Sequence, residues 1–191
     1  RDMAAAEKFG LEISPNPGKI IIDYGGSNVA KPLHVGHIRS AVIGESIKRI
    51  CRYAGHEVIG YVHLGDWGLQ MGLVITGLKE RNPELVYFDE NYQGEYPKEA
   101  PLTITELEQI YPAASARSKE DPDYKARAME ATFRLQNGDR GYRALWRDMM
   151  DVSVADLKKN YGSLNVEFDL WKGESDVHEL IPELVSYVKD N

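Results

Sequence analysis

Asn28-Val-Ala-Lys31-Pro-Leu-His34-Val-Gly36-His37-Ile-Arg39-Ser40 is the stretch that decides the fold. Two histidines three residues apart flank a glycine, a lysine stands just upstream, and the run Lys19-Ile-Ile-Ile-Asp-Tyr24 precedes them. That run is short and rich in β-branched residues, so it reads as a buried strand, broken by Gly25-Gly26-Ser27. Downstream, Ile38, Val42, Ile43, Ile47, Ile50, Cys51 and Ala54 recur at helical spacing, and Gly55 is a fitting stop. A strand, a glycine-bearing loop and then a helix form the layout of a phosphate-handling loop. The helix start turns free N–H groups and the positive end of its dipole toward an anion.

Val58-Ile-Gly-Tyr-Val62 reads as a second strand, which completes a βαβ unit with a right-handed crossover and parallel strands. The expected class is therefore α/β with a parallel sheet. Ligands in such sheets lie at the carboxyl ends of the strands. Gly25-Gly26-Ser27-Asn28 and His63-Leu-Gly-Asp66-Trp67-Gly68 both follow strand ends, so they should converge on one crevice. Met3 to Phe9 resembles the end of a helix, and Ser14-Pro-Asn-Pro-Gly18 is a turn. Asn82 to about Pro112 lacks clear periodicity and reads as an insertion. Asp123–Gln136 and Tyr142–Tyr161 read as helices, the second with Tyr142, Leu145, Trp146, Met149 and Leu157 on one face. Asn165–Trp171 resumes strand-like alternation, and a last helix is expected over Pro182–Lys189.

Composition narrows the class without naming a partner. The chain has 191 residues, 42% hydrophobic and 28% charged, with a formal net charge of −7. It is long enough for a real core, and its acidity does not announce nucleic-acid binding, although a local basic face would still permit it. Cys51 is the only cysteine, which excludes a disulfide framework and fits a reducing cytoplasm. No apolar run approaches the roughly 20 residues of a membrane helix, and no secretory signal is visible. The first residue is Arg1 rather than Met, which suggests that the natural protein is longer.

The histidine segment carries the chemistry. Imidazole donates hydrogen bonds and is neutral or charged near neutral pH, so His34 and His37 suit the negative charge that develops on a phosphate. Gly36 lets a nucleotide approach the backbone, and Lys31 adds a mobile point charge. ATP is the expected ligand, with catalysis by holding the phosphorus centre rather than by a covalent nucleophile. No protein metal site is expected, because no cysteine lies nearby and no carboxylate has suitable spacing. Asp66 and Gln70 read as crevice lining, with a capped turn as the alternative for Asp66. His63 is divided between the crevice and a core-edge contact, and Arg39 and Ser40 between phosphate and the helix surface. Trp67 reads as packing, Cys51 as a buried small hydrophobe, and Arg140, Arg143 and Arg147 as a solvated helix face, with a nucleic-acid contact as the alternative.

At these residues the chain resembles class I aminoacyl-tRNA synthetases in their arginyl form. His34-Val-Gly-His37 with its Asn28–Lys31 prefix is similar to the HIGH signature, and His63-Leu-Gly-Asp-Trp-Gly-Leu-Gln70 to the GDWG-x-Q segment. Leu135-Gln136, Leu145-Trp146, Tyr161, Phe168-Asp169 and Gly173-Glu174-Ser175 continue the likeness, which runs from about Ile20 to Ser175. The resemblance implies a Rossmann-like (HUP-type) nucleotide-binding core with a mostly helical connecting insertion. It implies ATP-dependent activation of L-arginine to arginyl-adenylate and transfer to the 3′ end of tRNA(Arg), with Mg2+ accompanying ATP.

By the same resemblance His34, His37 and Lys31 are catalytic and, with Gly36, bind ATP, Lys31 making up for a degenerate KMSKS loop. Gly26, Ser27, Asn28, His37 and Asp23 are implied to contact arginine, and His63, Asp66 and Gln70 to line the crevice. The family usually reads Ser-Pro-Asn where this chain has Gly26-Ser27-Asn28, which removes a fixed φ from the loop. The expected organisation is 1–18 as a linker helix and turn, 19–80 as the first half of the core, 81–162 as the insertion, and 163–191 as a return to the core. The guanidinium pocket and KMSKS region of the family would lie beyond Asn191. The isolated piece is thus expected to have little activity and to self-associate through uncovered faces, and the full enzyme to be monomeric and cytoplasmic. The alternatives are a nucleotide-binding module that needs the rest of the chain, and a nucleotidyltransferase of the HxGH superfamily.

Overall fold

The computed structural model describes residues 2–31 and 33–190. Arg1, Pro32 of the histidine segment and Asn191 lie outside the described residues. In chain order the elements are α1 (Asp2–Ala5), a 3-10 turn (Glu7–Gly10), β1 (Lys19–Asp23), α2 (Val35–Tyr53), β2 (Glu57–Leu64) and α3 (Leu69–Arg81). There follow a 3-10 turn (Val86–Phe88), α4 (Ile104–Glu120), α5 (Pro122–Gln136), α6 (Arg140–Ser163), β3 (Leu170–Gly173), α7 (Glu174–Val177), a 3-10 turn (His178–Leu180) and α8 (Ile181–Asp190). The sheet runs β1-β2-β3, all parallel, with Ile22 opposite Gly60 and Val62 opposite Trp171. The expected βαβ unit is therefore present as β1-α2-β2.

Helices α3 to α6 form the larger part of the core, beside the sheet. Their starts are written in the sequence: Thr103 and Glu106 close a capping box on α4, Asp121 accepts from the Tyr124 amide at 2.9 Å, and Asp139 accepts from the Tyr142 amide at 3.0 Å. Leu145 and Met149 of α6 are wholly buried, and Leu73, Ala114, Tyr124 and Ala128 make a second cluster among α3, α4 and α5. Tyr142, Leu145, Met149 and Leu157 face inward as their spacing predicts, while Trp146 is half-buried.

Several expectations need correction. β1 is an edge strand with one face uncovered, so Ile21 is 62% exposed rather than buried. The unpatterned stretch ends at Thr103, which caps α4, and that helix continues through Pro112. Proline costs that helix one backbone hydrogen bond, but burial of Leu107, Ile110 and Ala114 outweighs it. The strand-like run at Asn165 pairs only from Leu170, because Asn165 is left-handed (φ 57°) and the Val166 amide turns back to the Tyr161 carbonyl. Before β1 the helix ends at Ala5, since Lys8 and Phe9 take φ of 50° and 55°. Cys51 is half-buried.

The arginines of α6 are not a uniformly solvated face. Arg140 donates to the Tyr92 and Gln93 carbonyls at 3.0 and 3.3 Å. Arg143 donates to those of Leu135 and Gln136 at 2.7 and 3.1 Å, and only Arg147 is exposed without such contacts among the described residues.

The largest surprise is the orientation of α2. Its apolar positions Val42, Ile43, Ile47 and Ile50 are between 43% and 63% exposed, whereas Ala41, Gly44, Glu45 and Lys48 face the sheet. Gly44 lets the helix approach the Tyr24 ring, and Gly60 of β2 leaves room for the Tyr24 hydroxyl and the Lys48 chain. Between them Lys48 Nζ meets Glu45 Oε2 at 2.8 Å, with the two side chains 2% and 7% exposed. The Tyr24 hydroxyl donates to the same oxygen at 3.0 Å and the Glu167 amide does so at 3.1 Å, while Lys48 also donates to the Glu167 carbonyl.

Burial alone would raise the Glu45 carboxyl. Hydrogen bonds from Lys48, Arg49, the Glu167 amide and Tyr24 instead bring it down to about 2. A carboxyl depressed on folding contributes stability above its unfolded pKa and loses it as the pH falls toward the folded value. Acid unfolding should therefore include a component from the ordinary carboxyl range down toward pH 2 that Glu45→Gln removes. Glu45→Ala, which strands the Lys48 charge, should cost about 3 kcal/mol in chemical denaturation.

Candidate active site at the strand ends

The carboxyl ends of all three strands meet, as the βαβ reading requires of the first two. Leaving β1, the chain lies against the end of β2: the Val29 amide donates to the Gly65 carbonyl at 2.9 Å and the Gly65 amide to the Ser27 carbonyl at 3.1 Å. Asn28 and Gly65 form a parallel bridge. A side chain at Gly26 would sit 2.8 Å from the His63 carbonyl oxygen, so this close passage demands glycine. Gly25 takes φ +73°, and its carbonyl accepts from the Tyr161 hydroxyl. Ser27 is buried, Asn28 half-buried, and Gly26 and Asp23 exposed.

His34 caps α2, and Gly36 and His37 occupy its first turn. The Gly36 amide donates to His34 Nδ1 at 3.1 Å, and the His34 amide to His37 Nδ1 at 3.4 Å, a long and weak bond. The two rings stack with centroids 3.8 Å apart and planes 21° from parallel. A neutral imidazole that accepts at Nδ1 carries its proton on Nε2, so each ring offers an Nε2–H donor. Burial, then the neighbouring His34 and Lys31, lower the His37 pKa below its ordinary value. The arrangement supplies donors to an anion without stacking two cations. Arg39 and Ser40 are exposed, and the Ser40 hydroxyl donates to the His37 carbonyl at 3.0 Å.

Asp66 departs from its expected place in the crevice lining. It is 1% exposed, accepting from the Ser175 amide at 3.0 Å and the Ser175 hydroxyl at 2.5 Å. The capped-turn alternative fails as well, because the bonds run to Ser175, 109 residues away, and not to amides near Asp66 in the chain. Burial raises its pKa, and the two Ser175 bonds work against the rise. Trp67 packs edge-on against Trp146 at 5.2 Å, with the Arg143 guanidinium 4.4 Å over its ring. Around this segment the dispersed motif residues gather. Gln136 donates to the Trp67 carbonyl at 2.8 Å, Trp146 Nε1 to the Asp66 carbonyl at 2.8 Å, and the Trp67 amide to Glu174 at 3.2 Å. No local pattern marks this convergence: Gln136, Trp146 and Glu174 are named by the likeness, and Arg143, read as part of a solvated face, joins them only through its place over the Trp67 ring.

His63 is half-buried and hydrogen-bonded to the Tyr61 hydroxyl at 2.6 Å. Gln70 and Lys31 line a cavity of about 650 Å3 with residues of α4 and α5. Among the described residues no group of three or more His, Cys, Asp or Glu side chains is placed to hold a metal ion, and no helix is long and apolar enough to cross a membrane.

Since His37 favours its neutral form in the fold, the cap is complete above the ordinary imidazole pKa and weakens as the pH falls through it toward the lowered value. Side-chain 15N NMR should place the His37 midpoint below that of a free histidine. Lys31→Ala should raise the midpoint only part of the way, because burial is the largest cause.

Residues 3–191 match the family model described as tRNA synthetases class I (R), catalytic domain. The arginine–tRNA ligase of Alkaliphilus oremlandii is 63% identical over 190 residues, which is all of this chain and 32% of the relative. That of Francisella tularensis subsp. holarctica is 52% identical over 186 residues, 97% of this chain and 32% of the relative. The chain thus spans about a third of the length of these curated relatives. Among solved structures, the arginyl-tRNA synthetase of Plasmodium falciparum superposes with a TM-score of 0.69 at 27% identity, covering 92% of this chain and 27% of the other. The Thermus thermophilus arginyl-tRNA synthetase shares the fold, with a TM-score of 0.66 at 21% identity over 99% of this chain and 29% of the other. With a family model matched over nearly every residue, this α/β chain belongs to the catalytic-domain family of class I tRNA synthetases of the arginine (R) type.

Proposed function

We propose that this chain supplies the ATP-binding part of an arginine–tRNA ligase, which activates L-arginine with ATP and transfers it to the 3′ end of tRNA(Arg). The observation that carries the reading is the stacked His34–His37 pair at the start of α2, both Nδ1 atoms accepting backbone amides. It agrees with what the names of the relatives say of those proteins. In activation an arginine carboxylate oxygen attacks the α-phosphorus of ATP, forming the mixed anhydride arginyl-adenylate while pyrophosphate leaves.

In this reading the Nε2–H groups of His34 and His37 donate to phosphate oxygens as charge moves onto them, and Lys31 neutralises the departing phosphates. Gly36 keeps the nucleotide's approach open, and the α2 dipole favours the anion. The exposed backbone of Gly26, with Ser27, Asn28 and Asp23, would hold the arginine end. His63 and Gln70 would face the same crevice. Mg2+ would arrive on the nucleotide's phosphates and screen their charge. The division into 1–18, 19–80, 81–162 and 163–191, a cytoplasmic location and a monomeric full-length enzyme belong to the same proposal. The exposed apolar residues of α2 and of α8 (Leu184 60%, Val188 65%) support self-association of the chain when taken alone.

Pyrophosphate exchange in the full-length ligase tests the function. Exchange should require arginine, be supported by tRNA(Arg), and fall about a hundredfold in kcat for His37→Ala, the scale of losing one preorganised donor. Exchange independent of arginine, or indifferent to both histidines, would overturn the reading.

A further inference from the structure

Lys31 has a long flexible side chain, and among the described residues it makes no ion pair. What meets its ammonium is an aromatic face: Nζ lies 4.9 Å from the centroid of the Tyr111 ring. Tyr111 belongs to α4, in the helical segment between the two parts of the sheet, 80 residues along the chain from Lys31. Its ring is half-buried and packed against both core clusters, so it is a fixed platform rather than a mobile partner. Lys119 and Lys125 line the same cavity of about 650 Å3. Like charges on two further lysines would drive an untethered Lys31 to wander, whereas the negative face of an aromatic ring holds it. From this position the ammonium still acts on His37, whose pKa it helps to lower.

We infer that Tyr111 is a positioning residue: its ring holds the Lys31 ammonium within electrostatic reach of His37, ready for the phosphates of ATP. The inference rests on the function proposed above, and it couples α4 to the nucleotide site. A phenol and a benzene ring serve equally, because the contact is with the ring face. An aliphatic side chain of similar volume does not serve. Fixing a lysine in advance spares the ordering of a rotamer-rich chain when the nucleotide binds.

The test is pyrophosphate exchange in the full-length ligase at varied ATP, with Lys31 labelled at its ε-carbon for NMR. Tyr111→Leu should lower kcat/KM for ATP about fivefold, the scale of a partly exposed cation–π contact, and leave KM for arginine unchanged. Tyr111→Phe should restore it. In a Lys31→Ala background Tyr111→Leu should have no further effect, whereas a loss that merely reflects disturbed packing would persist there. The Lys31 ε-methylene should show an upfield ring-current shift, present in Tyr111→Phe and absent in Tyr111→Leu.

A full effect of Tyr111→Leu in the Lys31→Ala background would overturn the inference, and so would a Tyr111→Leu enzyme as efficient as its parent beside an impaired Lys31→Ala. A Lys31→Ala enzyme with unimpaired exchange overturns the phosphate role of Lys31, and the inference with it. The ring-current shift then shows separately whether the contact itself exists.

Discussion

The buried Glu45–Lys48 pair is the constraint on which the placement of the site depends. An ion pair out of contact with water is stable only when its remaining donors and acceptors are satisfied. Here the Tyr24 hydroxyl from the end of β1 and the Glu167 main chain from the approach to β3 satisfy it. The pair therefore ties one face of α2 to two separate parts of the sheet. Its geometry also sets the rotation of α2 about its own axis. The direction in which the His37 side chain leaves the first turn follows from that rotation. Gly44 and Gly60 allow the contact by leaving space where a side chain would stand.

A second set of contacts holds the end of β2 from behind. Asp66 and Trp67 take bonds from Ser175, Gln136 and Trp146 and give one to Glu174, while Arg143 stacks on the indole. These partners come from α5, α6 and the start of α7. The helical segment and the returning strand thus act as a rear support for the strand ends. The loop from Gly25 to Asn28 rests on the front of the same support through Gly65. A site assembled this way is positioned by main-chain hydrogen bonds and packed rings rather than by its own loop chemistry.

How legible each part was depends on the range of the interaction that defines it. The βαβ unit, the helices read over Asp123–Gln136 and Tyr142–Tyr161 and the histidine pair were readable because strand period, helical spacing and motif spacing are local. α4 was hidden by Pro112, whose local penalty is overcome only by burial against α3 and α5. α2 was read correctly as a helix, but the face it buries could not be told from its pattern. Its apolar stripe lies outward, and the inward face is small and charged. Hydrophobic periodicity assumes that the greasy face goes in, and a buried, fully bonded ion pair breaks that assumption. Asp66 shows the same limit: its partner is 109 residues away, beyond any local turn rule.

By itself the sequence determined an α/β chain with a glycine-bearing loop at a helix start, and it named the histidines, glycine and lysine there as candidates. Those follow from residue chemistry and short-range geometry. Only the tertiary structure decided which side of α2 meets the sheet, that Asp66 is a buried anchor, and that Lys31 rests on an aromatic ring of a helix 80 residues away. Each of those depends on which distant segments fold against one another, a choice made by packing and by the pairing of buried polar groups.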